Sequence, residues 1–378
     1  MGDICKINGA EIEPVWCITG GSPCQDLSIA GKRAGLAGAR SGLFMEQVRI
    51  VKEMREADKR NGRTGDMVRP RYLVWENVVG AFSSNKGKDF AAVLEEIIKI
   101  VEPEAPGIEV PEKGWPTWGG YHDEMGGRWS VVWRTHDAQY WGVPQRRRRI
   151  SVVADFGGDT ASEIQFDGES VSGDIAESGA SGEGFAEDAE SGFNPAVRDV
   201  TTYCLQGNGQ ANEASIMAEE VSQTLNTMHD AQAVMCEDVS HALRAKANCA
   251  YREDAETYPV QNMVARRLTP MECERLQGFP DHWTDIGEWI EEKGKKHKDA
   301  DSPRYKALGN SIALPFWDWM LRRMARYLPE DATLGSLFDG IAGFPLIWER
   351  IHGKGTARWA SEIEPFPIAV TKRWFGEE

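Results

Sequence analysis

The tightest constraint on this chain is the passage from Val15-Trp16-Cys17-Ile18-Thr19 into Gly20-Gly21-Ser22-Pro23-Cys24-Gln25. The first five residues are apolar and β-rich, the pattern of a short buried strand. Two glycines and a proline then break it, which puts Cys24 on a loop just past the strand's carboxyl end. In open α/β sheets ligands bind at that edge. A cysteine lifted out of the sheet there and followed by polar residues is a candidate nucleophile; a structural cysteine in a tight turn is the plainer alternative. A second apolar run, Arg71 to Trp75, delivers Glu76-Asn77-Val78 to the same kind of position. Apolar spacing at 45, 48, 51 and 54 predicts a helix over Met45 to Lys59 between the two strands. Strand, helix and strand in this order imply an α/β fold.

Composition narrows the setting. The 378 residues are enough for two domains. Seven scattered cysteines (5, 17, 24, 204, 236, 249, 273) form no Cys-x-x-Cys pair. They argue for a reducing, cytoplasmic setting and against a disulfide framework or a structural metal site; Cys5, Cys17 and Cys273 read as core residues. The start of the chain does not read as a signal peptide, and no apolar stretch is long enough to span a bilayer. A net charge of -16 looks wrong for a nucleic-acid binder. Eleven Asp or Glu and no Lys or Arg fall within 155–192, however, while basic residues cluster at 146–149, 266–267 and 322–323. The distribution leaves DNA open as a partner.

The segment 155–193 is acidic and rich in Gly and Ser, and repeats Ala-Glu-Ser-Gly at 176–179 and 189–192. By composition it is a disordered linker. It separates 1–154 from a small, loop-rich domain over 194–265, and 266–378 returns to ordered patterning. Within the first part, Phe90 to Val101 reads as an amphipathic helix and 103–127 as a long loop. Ser130 to Trp133 and Ile150 to Ala154 read as strands of a hairpin-like unit. Thr269-Pro270-Met271-Glu272 is a capping box, Gly278 ends the helix that it opens, and 293–301 is a charged loop. In the tail, Leu334 to Phe344 reads as strand, Gly-rich turn and helix start, and Arg358 to Glu362 as a strand ending in an acid 22 residues after Gly340. That spacing suits a nucleoside cofactor, with the backbone approached at the glycines and ribose hydroxyls on the carboxylate. A dinucleotide site or an ordinary βαβ turn fits as well.

Together, Pro23-Cys24-Gln25, Glu76-Asn77-Val78, Gln145-x-Arg147-x-Arg149, Arg267-Leu268-Thr269-x-x-Glu272, Gly309-Asn310-Ser311 and Phe338-x-Gly340 resemble the motifs of the cytosine-C5 DNA methyltransferase family. The resemblance implies a Rossmann-like S-adenosylmethionine-dependent methyltransferase domain, a mixed sheet with helices on both faces, and a smaller loop-rich target-recognition domain at 194–265. It implies methyl transfer to C5 of cytosine in duplex DNA. Cys24 adds to C6 of a flipped base, Glu76 contacts N3 and the exocyclic amine, Arg149 holds O2, and Arg147 orders the loop beside it. For the cofactor it implies Phe338 and Gly340 at the methionine part, Glu362 at the ribose, and Asp3 and Ile4 at the adenine. Gly343, Ile363 and Pro23 complete that set, and Asn310 and Ser311 close it from the far side. DNA contacts are expected from Gln25, Ser28, Lys32 and Arg33, and from Thr224, Leu225, Arg244 and Lys246.

Two departures qualify the match. The family's order begins with the cofactor motif, whereas here that motif follows Gly309-Asn310-Ser311 and Gly2-Asp3-Ile4 opens the chain, as in a circular permutant. Ala342 also stands where the family carries glycine. A bacterial or phage restriction-modification or anti-restriction role, acting as a monomer with or without a cognate endonuclease, is the implied setting. The alternatives are methylation of a tRNA cytosine and a catalytically impaired DNA-binding protein.

Overall fold

The protein is described by a computed structural model that covers residues 2–22, 42–123, 127–166 and 268–376, with the backbone of six short strands between 204 and 265. It divides into two compact units. The first comprises Met1–His136, Arg148–Ala176 and Phe316–Glu378, and the second Asp137–Arg147 and Glu177–Pro315.

The first unit is built on a seven-stranded mixed sheet. Its strands are β1 (Cys17–Gly20), β2 (Tyr72–Val78), β3 (Trp118–His122), β4 (Ser130–Asp137), β5 (Arg148–Asp155), β6 (Leu334–Leu337) and β7 (Ala357–Ser361), in the spatial order β7-β6-β1-β2-β5-β4-β3. Strands β7, β6, β1 and β2 are mutually parallel, and β5 runs antiparallel to β2. Gly20 is level with both Trp75 and Leu337, and Leu337 with Ser361. The carboxyl ends of the four parallel strands therefore share one edge, and the antiparallel β5 begins there with Arg148 and Arg149.

Helix α1 (Gly42–Arg60) follows β1 and turns Phe44, Val48, Val51 and Met54 into the core. Helix α2 (Lys88–Ile98) buries Phe90, Leu94 and Ile97. Phe90 meets Trp115 and Trp133 edge-on at 5.0 and 5.7 Å, a geometry that aromatic quadrupoles favour.

Two stretches differ from their sequence pattern. The expected loop 103–127 contains β3, which pairs antiparallel with β4. Its residues alternate exposed and half-buried on the sheet's edge, so it carries no apolar stripe. A side chain at Gly119 would stand 2.3 Å from the Trp133 ring, and that close approach explains a glycine inside a strand. The acidic linker was expected from Asp155, yet 155–166 belong to the fold. Asp155 ends β5 fully buried and takes both forks of Arg71 at 3.0 and 3.1 Å. Helix α3 (Ala161–Gln165) buries Ile164 and Gln165, and the Gln165 amide donates to the carbonyls of Val132 and Ser151. Asp155 is partnered, which composition alone does not reveal. The remainder of the linker, 167–193, lies outside the described residues.

In the second unit α4 (Pro270–Gln277) opens on the predicted capping box. The Thr269 hydroxyl accepts from the Glu272 amide at 3.2 Å, and the Glu272 carboxylate from the Thr269 amide at 2.7 Å. Gly278 closes the helix at φ +80. Helix α5 (Asp301–Asn310) packs on α4, where the Gln277 amide donates to the Leu308 carbonyl at 2.9 Å. The charged stretch after 288 includes a small antiparallel pair, Trp289–Ile290 with Lys296–His297. Helix α6 (Leu314–Ala325) leads back to the first unit, where α7 (Gly343–His352) follows β6 and α8 (Pro365–Phe375) follows β7. Among the described residues no helix is long and apolar enough to cross a membrane.

Candidate active site

At the shared edge of the first unit, Glu76 and Arg149 stand side by side. Glu76 is opposite Ser151 and Arg149 opposite Val78 in the β2–β5 register, so the two are diagonal neighbours on one face. Arg149 Nε lies 2.9 Å from Glu76 Oε1, and each side chain is about one-sixth exposed, at 16%. Both charges are partly desolvated and yet open to a ligand. Gly21 passes over this pair: a Cβ there would stand 2.8 Å from Glu76 Oε2. The glycine is what lets the backbone leading to Cys24 run close above the carboxylate. Ser22 is fixed in turn by Trp75, whose indole donates to its hydroxyl at 3.1 Å, and by the Asn77 amide, which donates to its carbonyl at 3.1 Å. The strand that carries Glu76 thus also anchors the approach to the cysteine.

The arginine run separates by strand alternation. Arg146 and Arg148 are exposed, whereas Arg147 is 1% exposed. Its guanidinium donates to the carbonyls of Gly309, at 3.2 Å, and Ser311, within the second unit. Arg147 was expected among the catalytic residues. These bonds tie its side chain to the Gly309-Asn310-Ser311 turn. Asn310 is exposed and Ser311 buried in that unit.

The second group lies at the ends of β6 and β7. Phe338, Gly340 and Ala342 all take positive φ (55, 59 and 62°), and α7 starts at Gly343. Open space surrounds Gly340 where a side chain would stand. Glu362 Oε2 accepts from the Gly340 amide at 2.8 Å, while Oε1 accepts from the amides of Ile363 and Glu364 at 2.7 and 2.9 Å. Three of about four acceptor positions on the carboxylate are used, which leaves room for one hydroxyl donor. Ile363 beside it is 68% exposed, a bare apolar surface of the kind a purine or ribose face covers. Asp3 caps the first short turn by accepting from the Cys5 amide at 3.0 Å, and Ile4 is buried. The Ser361 hydroxyl donates to the Gly2 carbonyl at 2.7 Å, which brings Gly2-Asp3-Ile4 to the end of β7. The open glycine, the exposed Ile363 and the spare acceptor fit a nucleoside cofactor.

Ala342 resolves a question of energetics. Its φ of +62° costs an L-residue about 1 kcal/mol relative to glycine. Its methyl is fully buried, worth about 0.8 kcal/mol. The terms nearly cancel, so Ala342→Gly is expected to leave the urea-unfolding free energy within about 1 kcal/mol of wild type. A loss beyond twice that would mean that the methyl packs far better than its area suggests.

Of the other expected site residues, Pro23, Cys24, Gln25, Ser28, Lys32, Arg33, Thr224, Leu225, Arg244 and Lys246 lie outside the described residues. Of the cysteines read as core, Cys17 and Cys273 are buried, and burial pushes the Cys273 thiol up to about 12; Cys5 is exposed. Gln47 escaped the sequence reading. It is fully buried on α1 with its carboxamide against Gly20, where a Cβ would meet Oε1 at 2.6 Å, and neither amide atom has a hydrogen-bond partner among the described residues. The available signal was an amide on the apolar stripe of Phe44, Val48 and Val51.

A mixed sheet of this order with both groups at its carboxyl edge defines a Rossmann-like methyltransferase fold. The model of C-5 cytosine-specific DNA methylases matches residues 1–100 and 116–326, and the chain belongs to that family. The family's cofactor is S-adenosylmethionine. Among similar proteins, an Escherichia phage P1 protein named DNA N-6-adenine-methyltransferase is 29% identical over 86% of this chain and 55% of its own length. The Bacillus subtilis type II methyltransferase M2.BsuMI is 24% identical over 80% of this chain and 58% of its own. The chain thus spans little more than half the length of either. Among solved structures, S. pombe Dnmt2 methyltransferase aligns with 85% of this chain and 82% of its own at 15% identity, with a TM-score of 0.46.

Proposed function

We propose that the protein methylates C5 of cytosine in duplex DNA. The observation that carries this reading is the Glu76–Arg149 pair beneath Gly21, three residues before Cys24. C6 of cytosine is a poor electrophile, so methylation at C5 needs covalent addition by a thiolate and a counter-charge for the ring. Cys24 supplies the thiolate. Glu76 faces N3 and the exocyclic amine and Arg149 faces O2, so charge developing on the ring falls between two groups already held in place. S-adenosylmethionine, when bound, supplies the electrophilic methyl. Loss of the C5 proton then expels the cysteine and restores the ring. The turn from Phe338 to Gly340 borders the methionine part, Glu362 with Ile363 beside it holds the ribose, and Asp3 and Ile4 border the adenine.

The name of the phage P1 relative points to N6 of adenine, which is the second reading. An exocyclic amine attacks a methyl donor directly and has no use for a thiolate or an O2 contact. The presence of Cys24, Glu76 and Arg149 therefore favours cytosine, and that relative extends well beyond the part matched here. The insert between Arg149 and Arg267 favours DNA over tRNA, with target recognition assigned to 194–265. We also infer a permuted motif order. In its favour, the family match ends at 326, before β6 and β7, and Ser361 at the end of β7 holds Gly2.

The test is transfer of labelled methyl to duplex DNA, with the label mapped to base and atom. It is paired with DNA containing 5-fluorocytosine, from which the C5 substituent cannot leave as a proton. The expected result is label on C5 of cytosine and a trapped adduct whose peptide contains Cys24. Label on N6 of adenine without an adduct would replace this reading with the second.

A further inference from the structure

We propose that Gln47 is a positioning residue for methyl transfer: in the reacting complex its carboxamide grips the backbone at Gly20-Gly21, the point where β1 leaves the sheet. The inference rests on the reaction proposed above. Gln47 projects from the second turn of α1 and is 0% exposed. Its carboxamide lies broadside to Gly20: a Cβ on that residue would stand 2.6 Å from Oε1 and 2.7 Å from both Cδ and Nε2. Neither Nε2 nor Oε1 has a hydrogen-bond partner among the described residues. A buried carboxamide in that state costs stability that an apolar side chain of the same size does not. Its neighbours along α1, Phe44, Val48 and Val51, belong to the apolar core. The group that the carboxamide faces is the backbone at Gly20.

That backbone stands at the middle of the reacting edge. Gly20 is level with Trp75 on one side and Leu337 on the other, the residues immediately before Glu76 and Phe338. The glycine pair therefore divides the group assigned to the base from the turn assigned to the methionine part of the cofactor. Both of its flanks are fixed. Before it, β1 is held by its ladders to β2 and β6. After it, the Ser22 carbonyl accepts from the Asn77 amide and the Ser22 hydroxyl from the Trp75 indole. Between these anchors two glycines leave the connecting peptide the widest choice of orientation. One orientation turns its carbonyl to Nε2, and the opposite one turns its amide to Oε1. Either bond satisfies one atom of Gln47 and sets the direction in which the backbone departs toward Cys24. A base entering beside Glu76, over which Gly21 passes, selects that orientation. The bond is then present in the reacting complex and missing in the free protein, which is the condition for an interaction to raise kcat.

Gln47→Met replaces the carboxamide by an apolar group of similar length, and Gln47→Leu does so with a branched one. Each is compared with wild type by urea unfolding, by binding of S-adenosylmethionine and of duplex DNA, and by single-turnover methyl transfer. The urea midpoint should rise, because two buried polar atoms without partners are gone. The rate constant for transfer should nevertheless fall about tenfold, the effect of one hydrogen bond made only in the reacting complex. Kd for each ligand should stay within a few-fold. A residue that merely packs does not give this combination, since its replacement moves stability and rate together or stability alone. An unchanged rate in both variants, or a rate and a urea midpoint that fall together, would overturn the proposal and leave the reaction intact. Absence of methyl transfer by the wild type would overturn both.

Discussion

Glu76→Gln is expected to lower the rate of methyl transfer to DNA by about 10²- to 10³-fold, the range of a lost general acid or oxyanion partner. The substitution keeps the shape of the side chain beneath Gly21, where a Cβ would already meet Oε2 at 2.8 Å. It also keeps a donor and an acceptor toward a pyrimidine edge. What it removes is the negative charge beside Arg149 at 2.9 Å and the capacity to give a proton to N3. Stability should fall by about 1–3 kcal/mol, because Arg149, itself only 16% exposed, loses its counter-charge and keeps a neutral acceptor. KM for DNA and for the cofactor should stay within a few-fold while kcat falls, as befits an interaction made chiefly in the transition state. Single-turnover transfer and urea unfolding of the same preparation separate the two effects. A variant with near-normal kcat and a raised KM would reduce Glu76 to a binding contact, and the counter-charge would have to come from Arg149 alone.

The carboxyl edge was legible because strand ends are written in composition. Apolar runs stop at Gly20 and at Glu76, and the capping box at Thr269 fixed the start of α4 by the chemistry of two side chains. The arginine run was legible in part: strand alternation separates exposed Arg146 and Arg148 from their neighbours, yet nothing in the pattern says that Arg147 ends on the carbonyls of Gly309 and Ser311. Contacts across 160 residues have no local signal. The same holds for β3, whose Gly119 answers to Trp133, and for Asp155, whose partner Arg71 lies 84 residues away. Glu362 stood out by its spacing from Gly340, but the spacing does not reveal that its carboxylate is bonded to three backbone amides as part of the turn's own architecture.

The other large effect concerns acid. His136, next to last in β4, is 2% exposed, its ring stacked on Phe316 with centroids 4.7 Å apart. Nε2 lies 3.1 Å from the Ser151 hydroxyl and 3.4 Å from Gln165 Oε1. Burial first, and Arg134 second, hold its pKa down to about 3, against the opposing hydrogen bond from Gln165. The unfolded chain takes up this proton near 6.5 and the folded one not until about 3. The buried neutral imidazole therefore contributes its full stability above pH 6.5, and that contribution is lost as pH falls toward 3. Inside this window the slope approaches 1.4 kcal/mol per pH unit, so about 2–3 kcal/mol should disappear between pH 7 and 4.5 from His136 alone. The carboxylates are the same in wild type and variant, so the comparison with His136→Gln removes their share. Urea unfolding at pH 7 and 4.5 should show a smaller acid loss in His136→Gln than in wild type by about that amount, although the variant starts less stable at pH 7. Equal acid losses in the two proteins would mean that the folded imidazole is protonated near its ordinary pKa. The Ser151–Gln165 pocket would then have to accommodate a cation beside Arg134.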